Sequence, residues 1–335
     1  MILVTGGAGY IGSHCVSELI KCEYDILIFD NLSTGHIETV ETLKKQGNVD
    51  FIKGDLQNPT DIENVFKNYK IDAVLHFAAF SQVSESVENP KKYYMNNLYG
   101  TLNLLNSMIE NNVKKIVFSS TASTYGEPKY TPIDENHPQE PINTYGQTKL
   151  MIEKIMDDYD RAYGLKSVRL RYFNVAGANS DNLIGEWHEP ETHLIPNILK
   201  SVFDKGKVFQ MFGTDYDTKD GTCIRDYINV EDLAKAHILA LKYLNNGGRT
   251  NFFNLGTKDG TSVKEVFDIC EKITGCKINV EVKPRRQGDP AILIADNKKA
   301  KEILNWTPQK DINTSIKTAF EWEKTLKEKY INICK

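Results

Sequence analysis

Short apolar runs alternate with longer amphipathic segments along the chain up to about Asn174. The runs are almost uniformly apolar, which is typical of parallel strands buried on both faces of a sheet. A repeated order of strand and helix predicts an α/β fold with a doubly wound parallel sheet. The predicted strands are 2–5, 26–30, 49–53, 73–77, 115–119 and 167–172, and the predicted helices are 11–21, 61–69, 91–110 and 144–163.

The pattern changes beyond Asn174. Gly, Asn, Asp, Glu and Pro accumulate in residues 177–191, and the later elements are shorter and mixed. We therefore predict a sheet domain at residues 1–175 and a smaller α+β domain at residues 176–335, partly interleaved with the first. The predicted helices of the second part are 194–204, 231–245, 263–274 and 314–329, and its predicted strands are 209–212, 252–255 and 278–282.

Composition and charge exclude several classes of protein. The 335 residues carry 41 Lys and Arg against 45 Asp and Glu, so the net charge of −4 argues against a general nucleic-acid binder. No apolar run approaches the ~18 residues that span a bilayer, and no basic segment precedes the first strand. We expect a cytoplasmic protein with reduced cysteines, because its six cysteines form no CxxC pair. We also expect no metal, since His188 and His193 lack zinc spacing and a third ligand.

A glycine-rich loop follows the first predicted strand and opens the first predicted helix. In the run TGGAGYIG, residues Gly7, Gly9 and Gly12 satisfy the GxGxxG spacing of dinucleotide-binding sites. The helix N-terminus would then face a pyrophosphate. Asp30 ends the second strand, where a carboxylate binds ribose hydroxyls and repels a 2′-phosphate. The loop and Asp30 together predict NAD rather than NADP, and Asp55 could face the adenine.

Tyr145 and Lys149 stand at the start of the predicted helix 144–163. Residues i and i+4 share a helix face, so the phenol and the ammonium are expected to point into the same space. A general base works best with a pKa near the operating pH, and the reference pKa of tyrosine is about 10. We expect the charges of Lys149 and of a nicotinamide ring to favour the phenolate. Thr121 follows the fifth strand and could share the proton network with Tyr145.

The motifs resemble the extended short-chain dehydrogenase/reductase family, and within it the UDP-galactose 4-epimerases. The resemblance covers essentially the whole chain and rests on the runs LVTGGAGYIGSH, FDNLSTG, FSSTASTYG, YGQTK, RYFNVAGA, RDYINVEDLA and RRQGDP. It implies a Rossmann sheet and the interconversion of UDP-galactose and UDP-glucose through transient oxidation at C4. It also implies a homodimer formed by the helices 91–110 and 144–163.

The same resemblance implies roles for individual residues. Tyr145 would be the base, with Thr121 and Lys149 as its catalytic partners. The implied NAD contacts are Gly6, Gly9, Tyr10, Ile11, Asp30, Asn31, Asp55, Leu56, Phe77, Ala78, Asn96, Tyr145, Lys149 and Tyr172. The implied UDP-sugar contacts are Thr121, Phe173, Asn174, His193, Leu194, Arg225, Arg286, Asp289 and Leu293. His193 departs from the family pattern, because some members carry Asn there.

Other functions remain open at this point. By resemblance, a nucleotide-sugar 4,6-dehydratase would carry Thr-Asp-Glu after the fifth strand. Here Thr121 is followed by Ala122 and Ser123. A UDP-glucuronate 4-epimerase, or another member acting on nucleotide sugars, is the alternative enzyme. A catalytically silent NAD sensor would not need both Tyr145 and Lys149. Leu293, of intermediate bulk, also leaves room for activity on the N-acetylhexosamine pair.

Overall fold

The computed structural model describes residues 1–204, 206–286 and 288–331, so Cys334 of the predicted thiols lies outside the described residues. The strands are β1 (Ile2–Thr5), β2 (Ile26–Asp30), β3 (Val49–Lys53), β4 (Ala73–His76), β5 (Lys115–Ser119), β6 (Lys166–Tyr172), β7 (Asn174–Ala176), β8 (Phe209–Phe212), β9 (Ile224–Asn229), β10 (Asn251–Leu255), β11 (Gly260–Ser262), β12 (Val280–Lys283) and β13 (Ile292–Leu293). The α-helices are α1 (Tyr10–Lys21), α2 (Ile37–Lys44), α3 (Pro59–Asn68), α4 (Val83–Glu88), α5 (Pro90–Tyr93), α6 (Gly100–Glu110), α7 (Thr144–Tyr163), α8 (Leu194–Phe203), α9 (Val230–Asn245), α10 (Val263–Thr274), α11 (Lys298–Leu304) and α12 (Ile312–Leu326).

Seven parallel strands form the main sheet in the order β10-β6-β5-β4-β1-β2-β3. This confirms the predicted doubly wound parallel sheet. The seventh strand comes from the second part of the chain, since Phe253 of β10 lies opposite Leu170 of β6. The predicted interleaving therefore includes a strand of the main sheet, while the division at residue 175 stays a prediction.

Both faces of the sheet are buried, which explains the apolar strands. In β1, Leu3 packs into a core with Leu27, Leu104 and Ile116, whereas Val4 packs into the core on the other side. Neighbouring residues of a strand point to opposite faces, so a strand covered by helices on both sides favours apolar residues at most positions. Polar residues begin at the strand ends, so side chains that bind ligands or react can lie there.

The second part of the chain has a core of its own. Helices α8, α10 and α12 surround β8 and β9, and their buried side chains include Ile198, Tyr227, Phe267 and Ile316. Strand β9 pairs with β7, β11 and β13, so the chain leaving β6 enters this smaller sheet at once. Among the described helices, none has a stretch apolar and long enough to cross a bilayer.

The predicted helix 91–110 is interrupted. It comprises α5, a π-helical turn at Tyr94–Tyr99 and then α6. Within this turn, the buried amide of Asn97 accepts a hydrogen bond from the backbone N–H of Phe80 at 2.9 Å and donates to its carbonyl at 3.0 Å. Such π-turns often lie at functional sites. Sequence periodicity could not reveal the turn, because the extra residue is fixed by a contact far along the chain.

A buried ion pair fixes α7 against the sheet. Glu153 of α7 and Arg171 of β6 have side chains that are each 3% exposed. The carboxylate of Glu153 also accepts a hydrogen bond from Ser120 at 2.5 Å, and Arg171 donates to the hydroxyl of Tyr125 at 2.9 Å. Burial opposes ionisation, but Arg171 outweighs it and holds the pKa of Glu153 below its ordinary value. The pair therefore stays charged inside the protein.

We predict that Glu153→Gln lowers the free energy of unfolding in urea by about 3–5 kcal/mol, because it leaves Arg171 charged and unpaired in the interior. Asp158→Asn is the matched control on the same helix, since Asp158 is 66% exposed in its pair with Arg161. The control should cost less than about 1 kcal/mol. Equal losses in the two variants would show that burial does not distinguish the pairs.

Candidate active site

The glycine loop lies where β1 ends. Gly6 has a φ of +75°, and a Cβ added there would lie 2.5 Å from the backbone nitrogen of Ala78. A Cβ on Gly12 would lie 2.2 Å from the carbonyl oxygen of Gly6, so only glycine lets α1 start this close to the strand. A Cβ added to Gly9 would have its nearest neighbour, the carbonyl oxygen of Gly6, 3.5 Å away. The loop is thus tight on its protein side and open at Gly9, where a phosphate can approach the backbone.

Asp30, at the end of β2, lies beside this loop. Its carboxylate accepts hydrogen bonds from the backbone N–H groups of Leu32 at 2.8 Å and Ala8 at 3.0 Å. Burial raises the pKa of Asp30, and these two hydrogen bonds oppose the rise. The amide of Asn31 donates to the carboxylate of Asp55 at 3.1 Å, which links the ends of β2 and β3. The predicted ribose and adenine residues therefore form one polar edge.

Other residues predicted to contact NAD surround the same strand ends. The hydroxyl of Tyr10 donates to the carbonyl of Gly177 at 2.5 Å, which ties the glycine loop to the segment beyond β7. Phe77 donates its backbone N–H to Thr5 at 2.9 Å. Asn96 lies half-buried in the π-turn and donates to Asn97 at 2.9 Å. Of the remaining three, Leu56 is buried, whereas Ile11 and Ala78 are partly buried.

Tyr145 is placed by the start of α7. The side chain of Asn143 caps the helix by accepting a hydrogen bond from the N–H of Gly146 at 2.8 Å. A Cβ on Gly146 would lie 2.3 Å from the carbonyl oxygen of Ser123, so the helix begins directly on the turn after β5. This contact brings Tyr145, which is 8% exposed, within hydrogen-bonding reach of Thr121.

Lys149 lies one turn further along α7. Its ammonium donates to the backbone carbonyl of Ser119 at 2.8 Å and lies 5.9 Å from the centre of the Tyr145 ring. The hydroxyl of Ser119 shares a 2.5 Å hydrogen bond with that of Tyr172. Tyr145, Lys149, Thr121 and Tyr172 therefore meet at the carboxyl end of β5, where ligands bind in sheets of this type.

The protonation states differ from those expected from the sequence. Burial raises the pKa of Tyr145 to about 12, and the hydrogen bond with Thr121 opposes this rise. Burial also lowers the pKa of Lys149 to about 7, against the opposing charge of Glu153. Lysine does not lower the pKa of Tyr145 here, because it is desolvated and directed to Ser119. A positive charge brought in with a ligand would favour the phenolate of Tyr145.

Two residues that support this group were missed in the sequence. The hydroxyl of Ser86 accepts a hydrogen bond from the backbone N–H of Tyr145 at 3.1 Å. Glu153 lies on the face of α7 that carries Lys149. Glu153 had a signal, since it stands four residues after Lys149 and the buried strand β6 carries Arg171. Ser86 had none, because its role depends on where α4 docks.

Six of the predicted sugar-binding residues fall into two groups. In the first group, Phe173 and Leu293 pack with Ala122, Tyr125 and Ile133 directly beside the turn after β5. Because Ala122 directly follows Thr121, these two side chains lie close to Thr121. Asn174 begins β7 and lies opposite Tyr227 in the smaller sheet.

The second group is charged. Arg225 on β9 forms an ion pair with Asp289 and donates to the carbonyl of Ile224 at 2.7 Å. Arg286 is exposed, and its guanidinium lies 4.2 Å from the centre of the Phe212 ring. Both arginines act electrostatically on the thiol of Cys223, so both lie near it. Guanidinium groups suit the oxygens of a diphosphate.

His193 immediately precedes α8, which begins at Leu194. The structure brings Glu186 and Glu191 against His188 and His193, and the four offer ligand atoms within 4.8 Å of one another. The prediction that His188 and His193 lack a third potential ligand was therefore wrong, whereas the expectation of no metal stays a prediction. The carboxylates of Glu186 and Glu191 outweigh burial and raise the pKa of His193 to about 10.

Comparison with known proteins identifies the family. The family model described as GDP-mannose 4,6 dehydratase matches residues 3–319. A UDP-glucose 4-epimerase of Lactobacillus helveticus is 51% identical over 325 residues, which cover 97% of each chain. The chain belongs to the UDP-glucose 4-epimerase family. This confirms the resemblance seen in the sequence.

Solved structures of epimerases agree with this assignment. The UDP-glucose 4-epimerase from Bifidobacterium longum, in complex with NAD+ and UDP, matches with a TM-score of 0.92 and 40% identity, covering 97% of this chain and 98% of that one. The UDP-Glc/GlcNAc 4-epimerase from Campylobacter jejuni matches with a TM-score of 0.85 and 43% identity, covering 97% and 99%. The match to these epimerase structures thus covers nearly the whole of this chain.

The low pKa of Lys149 predicts a specific pH dependence of stability. Between about pH 7 and the ordinary pKa of lysine, the unfolded chain holds a proton that the folded chain has released. The free energy of unfolding therefore rises with pH over this range, by at most about 1.4 kcal/mol per unit from this group. Urea unfolding of wild type and Lys149→Met at pH 7, 8 and 9 should show that the variant lacks this rise. Parallel curves would contradict the assigned pKa.

Proposed function

We propose that this chain interconverts UDP-galactose and UDP-glucose by transient oxidation at C4 of the sugar, with NAD as its cofactor. The observation that carries the proposal is the meeting of Tyr145, Thr121 and Lys149 at the end of β5, in a chain 51% identical to a UDP-glucose 4-epimerase. The names of these relatives favour this activity over that of a glucuronate epimerase. The absence of a carboxylate at Ala122 and Ser123 argues against 4,6-dehydration.

The residues at the strand ends fit NAD. The open backbone at Gly9 and the N-terminus of α1 suit a pyrophosphate, and the buried carboxylate of Asp30 suits two ribose hydroxyls. A 2′-phosphate would meet that carboxylate, with no cation supplied by Asn31 or Leu32. Bound there, NAD would supply a hydride acceptor and donor for C4 of the sugar, which would make the net reaction an isomerisation.

The chain supplies the proton transfer. Tyr145 takes the proton of the sugar 4-hydroxyl and later returns it, and Thr121 shares the hydrogen bond. Because burial raises the pKa of Tyr145 to about 12, the ligand-free site keeps the phenol protonated. A positive charge in the loaded site would favour the phenolate and would couple proton removal to ligand binding. Lys149 donates a hydrogen bond to the carbonyl of Ser119 and, from this position, orients Tyr145.

Inversion at C4 requires that both faces of the oxidised sugar be presented in turn. We assign the nucleotide anchor to Arg225 and Arg286, with Asp289 orienting Arg225 through their ion pair. The sugar would then lie against Phe173 and Leu293, apolar side chains that offer no strong polar hold. Tight binding of the diphosphate and loose binding of the hexose allow the sugar to turn without leaving.

Substitution of Tyr145 tests the proposed proton transfer. Tyr145→Phe removes the proton-transfer group, so turnover of UDP-galactose, assayed without added NAD, should fall by ~10²–10⁴. Tyr163→Phe, at the exposed end of the same helix, is the matched control and should keep wild-type turnover. Activity of Tyr145→Phe near that of wild type would refute the assigned base. A strict requirement for added NAD in the wild type would refute the tightly held cofactor.

Leu293 is proposed to set the breadth of substrates. It pairs with β9 opposite Arg225 and packs with Tyr125, and the family pattern puts this position beside the 2-substituent of the sugar. We predict main activity on UDP-glucose and UDP-galactose, with some on the N-acetyl sugars. Leu293→Tyr should lower N-acetyl turnover relative to glucose turnover by about tenfold or more, whereas Leu293→Met should preserve both. Equal losses of both activities, or no N-acetyl activity in the wild type, would contradict this role.

We also propose a cytoplasmic homodimer. In support, the π-turn before α6 exposes Tyr94, Met95 and Tyr99, which are 36%, 41% and 38% accessible. Grouped apolar side chains of this kind mark interaction surfaces. The five cysteines that the structure describes are free, as expected in a reducing compartment. Light scattering should give a molar mass near twice 38.0 kDa, and a monomer at micromolar concentration would contradict the dimer.

A further inference from the structure

Four potential metal ligands converge in the segment between β7 and α8. They are Glu186, His188, Glu191 and His193, and each offers one atom to a group within 4.8 Å. Both glutamates are almost fully buried, with side chains 7% and 4% exposed. The cluster lies outside the proton-transfer group at β5, and the reaction proposed above does not use it as a unit.

Three of the four candidate ligand atoms make no hydrogen bond of regular geometry. Oε1 of Glu186, Nδ1 of His188 and Oε2 of Glu191 are all inaccessible and have no such partner. The two carboxylate oxygens have only ion-pair contacts, since Oε1 of Glu186 lies 2.8 Å from Nδ1 of His193 and Oε2 of Glu191 lies 3.6 Å from Lys200. Buried polar atoms that lack well-formed hydrogen bonds are costly and uncommon in native proteins. These atoms point to a missing partner that accepts electron pairs from all of them.

The spacing of the atoms fits a tetrahedral ion. Oε1 of Glu186 lies 3.3 Å from Nδ1 of His188 and 2.8 Å from Nδ1 of His193. Nδ1 of His188 lies 3.9 Å from Oε2 of Glu191. Ligands bound to zinc at about 2.0–2.2 Å in a tetrahedron lie about 3.3–3.6 Å apart. The cluster needs only small shifts to reach this geometry.

One ligand is already oriented for this role. The other carboxylate oxygen of Glu191, Oε1, accepts the backbone N–H groups of Thr192 at 2.8 Å and His193 at 2.9 Å. Oε1 also lies 3.1 Å from Nδ1 of His193, and Oε2 lies 3.9 Å from Nδ1 of His188, so both oxygens of this fixed carboxylate face the cluster. Supporting hydrogen bonds of this kind are typical of ligands in metal sites.

We propose that Glu186, His188, Glu191 and His193 form a zinc site that ties this segment to the start of α8. Two carboxylates and two neutral imidazoles balance the charge of Zn2+ and match its preference for nitrogen and oxygen donors. Lys200, 3.6 Å from Oε2 of Glu191, would move toward the buried carboxyl of Glu323, on which it already acts. The ring of His188 contacts that of Tyr10 edge-on, with centroids 6.3 Å apart, so the ion would also brace the glycine loop.

The competing explanation is a set of ion pairs in which both histidines carry protons and no metal binds. The experiment treats the full chain with a chelator, dialyses it, and titrates it with Zn2+ while the bound metal is measured by mass spectrometry. We expect one zinc per chain, together with a rise in melting temperature. Glu191→Gln should weaken zinc binding by at least ~10-fold and abolish that rise.

Glu189→Gln is the matched control, because Glu189 is an exposed carboxylate of the same segment that accepts a hydrogen bond only from Trp187 among the bonds described. It should bind zinc as the wild type does. Substitution of Co2+ into the wild type tests the site without any variant, and four nitrogen and oxygen ligands should give strong visible absorption. Failure to take up metal, equal binding by Glu191→Gln, or thiolate absorption bands from a cysteine site would each overturn the proposal.

Discussion

The buried ion pair between Glu153 and Arg171 determines where the chemistry can occur. Each charge is removed from water, and each is compensated by the other and by hydrogen bonds with Ser120 and Tyr125. One partner belongs to α7 and the other to β6, so the helix cannot shift along the sheet without separating them. Because Tyr145 and Lys149 lie on the preceding turns of α7, the same pair fixes their distance from the end of β5.

The depth of this site decides its electrostatics. Burial disfavours charge on both Tyr145 and Lys149, so the ligand-free site keeps the phenol protonated and lowers the pKa of the lysine to about 7. Glu153 supplies a nearby negative charge, but it is already matched by Arg171. A positive charge carried by a ligand would therefore favour the phenolate of Tyr145. This arrangement couples proton removal to a correctly loaded cleft, which is what a reversible oxidation within a closed site requires.

Much of the sheet was predictable, because burial of its strands requires an apolar pattern that is visible in the sequence. Strands in the interior of this sheet are mostly apolar, and strands β1 to β3 and β5 have the bounds predicted from their apolar runs. The glycine loop, Asp30 and the pair Tyr145–Lys149 were found because backbone approach and helical spacing need particular residues. What depends on distant contacts was not predictable from the pattern. The π-turn depends on Asn97 meeting Phe80, the role of Ser86 depends on the docking of α4, and the cluster around His193 needs a loop to bring two glutamates inward.

In the proposed reaction, oxidation and reduction at C4 both occur within one closed site. The most direct measurement follows UDP-glucose carrying deuterium at C4 as the purified protein converts it, in ordinary water and without added NAD. Hydride transfer to a held cofactor and back predicts UDP-galactose that retains deuterium at C4, detected by mass spectrometry or NMR. Replacement of that deuterium by solvent hydrogen would show that C4 exchanges protons with water and would contradict the mechanism.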